Sequence, residues 1–224
     1  MFRTLVRSYI FKNISPETLE KDFEKINYKI VKYTKNSIIM YRDDNCNSLA
    51  ILISGNIKTE MQDINGNIIP FEKFTPISVI APAFLFGINN KYPVDIICES
   101  ENSEVLFISK EDVIKLMHKN STFMVNYIDA VCNKAYFLTQ KISFSFFYKT
   151  ISQKFAKYLL QKKDDKKELI EMTETIQEIA DLFNVTRPSL SRIISEFVNE
   201  KIIRKEKRNL IKILDYNKLI QKLD

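Results

Sequence analysis

Glycine is scarce in this chain: three of 224 residues, Gly55, Gly66 and Gly87, all in the first half. No Gly-rich loop exists that could cradle a nucleotide phosphate, and no nucleophile motif occurs either. Cysteine is equally sparse. Cys46, Cys98 and Cys132 are odd in number and widely spaced, so they predict neither a disulfide framework nor a metal site, and a reducing cytoplasm is the natural compartment. The single histidine, His118, has no partners at ligand spacing, which leaves a haem or metal role without its other ligands. No apolar run approaches the ~20 residues that span a membrane, and the N-terminus, with Arg3 and Arg7 amid short apolar stretches, does not read as a signal peptide. Arginine is missing altogether between Arg42 and Arg187. Asp43-Asp44 and Asp164-Asp165 read as loop and linker charges rather than catalytic carboxylates. Neither an enzyme nor a membrane protein is expected, and no cofactor is evident.

What is present is concentrated in the last third. Thr175 to Ile203, TIQEIADLFNVTRPSLSRIISEFVNEKII, places apolar residues at Ile179, Phe183, Val185, Leu190 and Ile193, a spacing that packs two short helices across a sharp turn. Ala180 is small where the helices approach most closely. Asn184 stands at the turn, where φ > 0 is often needed and Asn tolerates it. Thr186 can cap the second helix, and Pro188 falls in its first turn, where a missing N–H costs nothing. Arg187, Ser189, Ser191 and Arg192 then point away from the packed face. Together these features predict a helix-turn-helix that enters DNA.

Charge follows the same division. Residues 1–145 carry 17 Lys and Arg against 16 Asp and Glu, whereas residues 146–224 carry 17 against 12. From Val185 to Lys212 there are eight basic residues (Arg187, Arg192, Lys201, Arg204, Lys205, Lys207, Arg208 and Lys212) and three acidic ones. Such a cluster supplies the sequence-independent, phosphate-neutralising part of DNA affinity. Behind it, Ile202-Ile203 and Leu210-Ile211 with Ile213 flank a charged turn at Arg208-Asn209, which predicts a small hairpin whose basic tip, including Lys205 and Arg208, lies along a phosphate backbone. Tyr216 to Leu223 reads as a closing helix.

At this length, with 45% hydrophobic residues, the chain can bury one good-sized core and one small one. Its first half alternates as strands at Tyr28–Thr34, Ser37–Tyr41, Leu49–Ser54, Ile57–Met61, Ile68–Phe74, Val94–Cys98 and Glu104–Ile108, with an Asn-Gly type turn over Asp63–Asn67. Helices are expected at Thr4–Phe11 and at Ser15–Asn27, the latter opened by a Ser15 cap and Pro16. A short helix starts at Ser109 and ends near His118-Lys119-Asn120, and a long one follows to Phe147. Along the long helix Met124, Ile128, Val131, Ala135, Leu138 and Ile142 recur at spacings of 4, 3, 4, 3 and 4, the heptad seam of a homodimer. Phe123, Tyr127, Ala130 and Phe137 form a second apolar stripe suited to packing on the strands. The alternative is that both stripes are intramolecular core.

This order of elements resembles the CRP/FNR family of bacterial transcription regulators, related to the cyclic-AMP receptor protein. The resemblance spans essentially the whole chain and rests most firmly on Ile176-Gln177-Glu178-Ile179-Ala180 followed by Arg187-Pro188-Ser189-Leu190-Ser191-Arg192, with Leu49–Gly55 and the Asp63–Asn67 turn resembling the family's sensor. It implies an α+β architecture: an N-terminal antiparallel β-roll of the cyclic-nucleotide-binding kind over 1–119, a dimerisation helix and hinge over 120–147, and a C-terminal winged helix-turn-helix over 148–224. It also implies that Arg187 and Arg192 contact bases, that Thr175, Gln177 and Ser189 contact phosphates, and that the partner is a palindromic operator in double-stranded DNA. RNA polymerase is a candidate further partner.

Two departures from the family pattern matter. Members that bind a cyclic nucleotide hold its phosphate with an Arg-Ser/Thr-Ala segment and an earlier Gly-Glu pair; here those regions read Tyr92-Pro93-Val94 and Ile80-Ala81-Pro82-Ala83. Without an arginine in the roll the bidentate phosphate clamp is absent, and Lys91 is the sole nearby cation. The effector is therefore expected not to be cyclic AMP. The iron–sulfur branch needs an N-terminal cysteine cluster that is also absent. Walls of Phe84, Phe86, Tyr92, Tyr127 and Val131 would suit an apolar or aromatic ligand, although the sequence names no effector. The second departure is Pro188, which stands where many members carry a Glu that accepts from cytosine. The expected function is a dimeric, sequence-specific DNA-binding regulator. The alternatives are a protein-interaction module with a purely structural roll and a haem- or redox-sensing regulator.

Overall fold

Period-two alternation in the first half of the chain folds into antiparallel strands: β1 (Tyr28–Thr34), β2 (Ile38–Met40), β3 (Ser48–Ser54), β4 (Ile57–Gln62), β5 (Ile68–Phe74), β6 (Val79–Ile80), β7 (Asp95–Cys98) and β8 (Asn102–Ser109). They form two four-stranded sheets, β1-β8-β3-β6 and β2-β7-β4-β5. In the first, β8 lies between β1 and β3, with Ile108 opposite both Tyr28 and Leu49. Leu49 to Leu52, Val105 to Ile108, Ile57 and Ile96 are buried, the continuous runs of β3 and β8 showing that their sheet is covered on both faces. This is the expected roll. The computed structural model describes residues 1–62, 66–164, 169–207 and 209–223, so most of the expected Asp63–Asn67 turn lies outside the described residues. The two-residue β6 was not anticipated, because so short a run has no readable period.

Two compact units divide the chain, Met1–Lys134 and Ala135–Asp224. In the first, the roll is flanked by α1 (Phe2–Leu5), a 3-10 turn at Tyr9–Phe11, α2 (Pro16–Phe23) and α3 (Lys110–Lys119). The expected single helix over Thr4–Phe11 is interrupted, and Ser8 is extended at φ −72° and ψ 140°. The break has a reason. Leu5 and Ile10 are both fully buried, yet residues five apart diverge by about 140° on a continuous helix. Ser15 caps α2, accepting from Thr18 N at 3.1 Å.

The long helix α4 (Ser121–Phe147) runs through both units. In the first, Phe123 and Tyr127 are buried, and Phe123 stacks on Phe11 with centroids 5.5 Å apart. In the second, Phe144 is buried with its ring 4.9 Å from that of Phe183. Phe137, expected on the stripe that packs on the roll, belongs to the second unit. The second unit continues through α5 (Ile151–Lys162), β9 (Leu169–Glu171), α6 (Ile176–Phe183), α7 (Arg187–Asn199), β10 (Ile203–Lys207), β11 (Leu210–Ile213) and α8 (Tyr216–Gln221). The wing is a three-stranded sheet in the order β10-β11-β9; the hairpin was readable, whereas β9 is three residues long and was not. No helix among the described residues is long and apolar enough to cross a membrane.

Gly55 joins β3 to β4 at φ +81°, and a methyl added there would collide with the Asn102 carbonyl and the Ser103 hydroxyl. Gly55→Ala is expected to cost roughly 2–4 kcal/mol through positive φ and backbone collision together. The denaturant midpoint of unfolding, compared with the parent chain, measures it.

Candidate nucleic-acid interface and roll cavity

The helix-turn-helix is held by four local devices, each written in the sequence. At the start of α6, Thr175 Oγ1 accepts from Glu178 N at 3.2 Å, and the Glu178 carboxylate accepts from Thr175 N at 2.6 Å. This reciprocal capping box satisfies two otherwise unpaired donors. At its end Asn184 adopts the left-handed conformation, φ 56° and ψ 49°. Thr186 caps α7, accepting from Ser189 N at 3.3 Å, and Pro188 sits in the first turn. The two helices then pack through Ile179, Ala180 and Phe183 against Leu190, Ile194 and Phe197, all buried. Val185 and Ile193, expected in that seam, are only half-buried. The i, i+4, i+7 face of α7 starts at Leu190 and therefore selects Ile194 and Phe197.

This arrangement turns Arg187, Pro188, Ser191 and Arg192 outward, all exposed. Neither arginine forms an ion pair among the described residues, so both guanidinium groups are free to meet an anion or a base edge. Ser189 is half-buried and shares its hydroxyl with Thr186 at 2.8 Å. Gln177 is exposed and donates to Asp181 at 2.9 Å. On the wing, Lys205 is exposed and unpaired among the described residues, whereas Arg204 Nε is tied to Glu206 at 2.7 Å. Lys207, another member of the expected basic cluster, is exposed on the same strand. Arg208 lies outside the described residues.

Sequence reasoning also missed two supports. Lys154, on the apolar face of α5 beside Phe155 and Tyr158, is buried and donates from Nζ to the Phe183 carbonyl at 2.8 Å. A cation at the C-terminal carbonyl of α6 opposes the helix dipole there and anchors the residue before the turn; burial lowers the Lys154 pKa. The signal was a lysine amid an apolar stripe. The second support is Glu174, just before the Thr175 cap. It accepts from Tyr158 Oη at 2.8 Å and Lys162 Nζ at 2.7 Å and also meets the Thr173 hydroxyl. Burial alone would raise its pKa, but the hydrogen bonds from Lys162, Tyr158 and Thr173 bring it down to about 2.

In the first unit a cavity of about 320 Å³ is lined by Pro82, Ala83, Phe86, Met117, Tyr127, Ile128, Val131 and Cys132. Tyr127 builds one wall: its hydroxyl donates to the Pro82 carbonyl at 2.6 Å, and the Phe86 ring meets it edge-on at 5.8 Å. Of the residues expected to line a pocket, Phe86, Tyr127 and Val131 do so, and Phe84, Lys91 and Tyr92 do not. Tyr92 begins the inward alternation Tyr92, Val94, Ile96, Cys98 and is buried in the roll. There burial, and then the hydrogen bond it shares with Cys46, push its pKa up. Lys91 is exposed and bridges to Asn45. Phe84 ends the 3-10 turn that follows left-handed Ala81 and packs on the core. The same strip of α4 carries the heptad residues: Met124, Ile128, Ala135, Leu138 and Ile142 are exposed and Val131 is half-buried.

Known proteins share these parts. Residues 30–120 match the cyclic nucleotide-binding domain family, and residues 153–222 match the Crp-like helix-turn-helix domain family. The HTH-type transcriptional regulator ArcR of Staphylococcus epidermidis is 25% identical over 79% of this chain and 78% of its own length. Among solved structures, a transcriptional regulator from Thermotoga maritima is 26% identical, with a TM-score of 0.53, over 57% of this chain and 97% of its own. The catabolite activator protein of Thermus thermophilus is 16% identical, with a TM-score of 0.52, over 96% of this chain and 98% of its own, a likeness of fold.

The Glu174 cluster yields a pH signature. Its folded pKa of about 2 lies below the ordinary 4.5, so its contribution is fully present above about pH 4.5 and is lost as pH falls toward 2. Because the Glu174 side chain is 38% exposed, solvent screening reduces the effect to about 1–2 kcal/mol. Glu174→Gln is expected to lower stability by that amount at pH 7 and to match the parent chain near pH 2, as read by urea unfolding across the pH range.

Proposed function

Because this chain belongs to the CRP/FNR family of transcription regulators, we propose that it is a homodimeric, sequence-specific DNA-binding regulator whose roll answers to an effector other than cyclic AMP. The carrying observation is α7, whose capped N-terminal part carries two exposed arginines, Arg187 and Arg192, about 140° apart around the helix and in no ion pair among the described residues. Lys205 and Lys207 on the wing supply phosphate contacts beside it. The heptad stripe supports the dimer: it leaves Met124, Ile128, Leu138 and Ile142 exposed on one helix face, and a second copy of α4 is the partner whose stripe has the same period. A two-fold dimer sets two recognition helices one helical turn, ~34 Å, apart on a palindrome. The case against cyclic AMP is chemical. The roll holds no arginine beyond Arg42, and the cavity presents carbon rather than donors. Three free cysteines fit action in a reducing cytoplasm.

Leu138→Glu combined with Ile142→Glu is expected to yield monomers in sedimentation and to abolish operator binding; dimers that persist in the double variant would remove the seam from consideration.

Base reading and phosphate contact separate by mutation. Each bidentate arginine–guanine contact contributes roughly 1–3 kcal/mol of discrimination. Arg192→Ala should therefore relax preference at one position per half-site while leaving non-specific affinity nearly intact. Lys205→Ala should weaken all sequences alike and reduce the salt slope by about one per lost contact. Selection on random duplexes, followed by salt titration, checks both. An unchanged sequence preference in Arg192→Ala would show that Arg192 is not a base reader, and binding insensitive to salt would favour a protein-interaction role for the winged helix.

A further inference from the structure

The roll cavity is lined almost entirely by carbon, and a cation, Lys110, lies over one of the rings that line it. Lys110, the first residue of α3, is half-buried and holds its ammonium 5.2 Å from the centroid of the Phe86 ring. Phe86 in turn lines the cavity. Lys110 makes no ion pair among the described residues, and its ammonium rests against the face of that ring. A cation held over an aromatic face is partly withdrawn from solvent, and its donors are unspent. The nearest polar group on the cavity wall, the Tyr127 hydroxyl, already donates to Pro82.

Size and charge together define a ligand. The volume of about 320 Å³ holds roughly ten water-sized groups at ~30 Å³ each. A body of that size would contact Phe86, Met117, Ile128 and Val131, which offer it no hydrogen bond, and the Lys110 ammonium over the Phe86 ring matches one negative charge. A phosphate calls for several convergent donors or a guanidinium fork, and a lone lysine is a point charge. We propose that the cavity binds a small apolar monocarboxylic acid, with its hydrocarbon body among Phe86, Met117, Ile128 and Val131 and its carboxylate on Lys110. This rests on the reading of the roll as effector-binding and names the chemical class of the effector. Ile128 and Val131 also belong to the proposed dimer stripe, so such a ligand touches the face through which two copies would meet.

Octanoate has about the right size, and octanol is its uncharged counterpart. Calorimetric titration of the full chain is expected to show a single octanoate site per chain, with octanol about tenfold weaker, the difference made by one charge-assisted hydrogen bond. Lys110→Gln should erase that preference and leave octanol affinity unchanged. Ala83→Phe, which narrows the cavity, should weaken both ligands; if it does not fold, Lys110→Gln, whose side chain is in no ion pair, still decides the matter. Equal affinity for acid and alcohol in the parent chain, an unchanged preference in Lys110→Gln, or no binding of either ligand overturns the proposal. Duplex binding is measured on the same preparations. Its persistence while octanoate fails to bind overturns the ligand class alone, whereas its absence overturns the DNA-binding reading whatever the ligand does.

Discussion

A helix with more apolar surface than its own roll can cover is the constraint on which this protein turns. α4 buries Phe123 and Tyr127 within the first unit and Phe144 within the second. The same helix leaves Met124, Ile128, Leu138 and Ile142 each more than a third exposed. Burying an aliphatic side chain of this size contributes about 1.5–3 kcal/mol, so a stripe of four left in water is a standing drive toward association. Its heptad period selects a matching helix over an arbitrary surface. Dimerisation and the two-fold reading of DNA are, in the proposed function, consequences of that surplus.

The reading head depends on a different economy, that of unpaired backbone groups. Helices of eight and 13 residues are too short to be stable alone, and their ends must be satisfied locally. The Thr175–Glu178 box, left-handed Asn184 and the Thr186 cap do so within twelve residues of chain. Buried Lys154 then ties the α6 terminus to α5 through the Phe183 carbonyl. With the backbone so anchored, Arg187 and Arg192 have no structural duty and remain available at the surface.

In the roll the decisive fact is a substitution of chemistry within an inherited architecture. The region matching the cyclic nucleotide-binding domain family keeps the two sheets, but its 3-10 turn at Pro82–Phe84 and the Phe86 ring face α4 with carbon. Tyr92 is drawn into the core by strand alternation and pairs with Cys46. What is left between the turn and the helix is an open, largely apolar pocket, with the Lys110 ammonium over one of its rings; in the proposal above that setting suits a hydrophobic anion.

Much of this was legible in the sequence because it is local. Seven strands, the caps at Ser15, Thr175 and Thr186, the left-handed position at Asn184 and the heptad stripe each follow from periodicity or turn chemistry within a few residues, where the chain's own preferences decide. Elements too short to carry a period, such as β6 and β9, were not legible. Nor was the break at Ser8, which two buried side chains five residues apart impose from outside the helix. The cavity shows the same limit. Phe86, Tyr127 and Val131 were anticipated as its walls, whereas Tyr92 turned inward and Met117 came from α3. Likewise no local pattern joins Lys154 to Phe183, 29 residues away, or sets Lys110 over Phe86. The sequence by itself determined the longer elements, their order and the exposed arginines, since these depend on neighbours in the chain. Only tertiary packing decided which side chains line the pocket and which lysines are buried or set beside an aromatic ring, because those depend on distance in space.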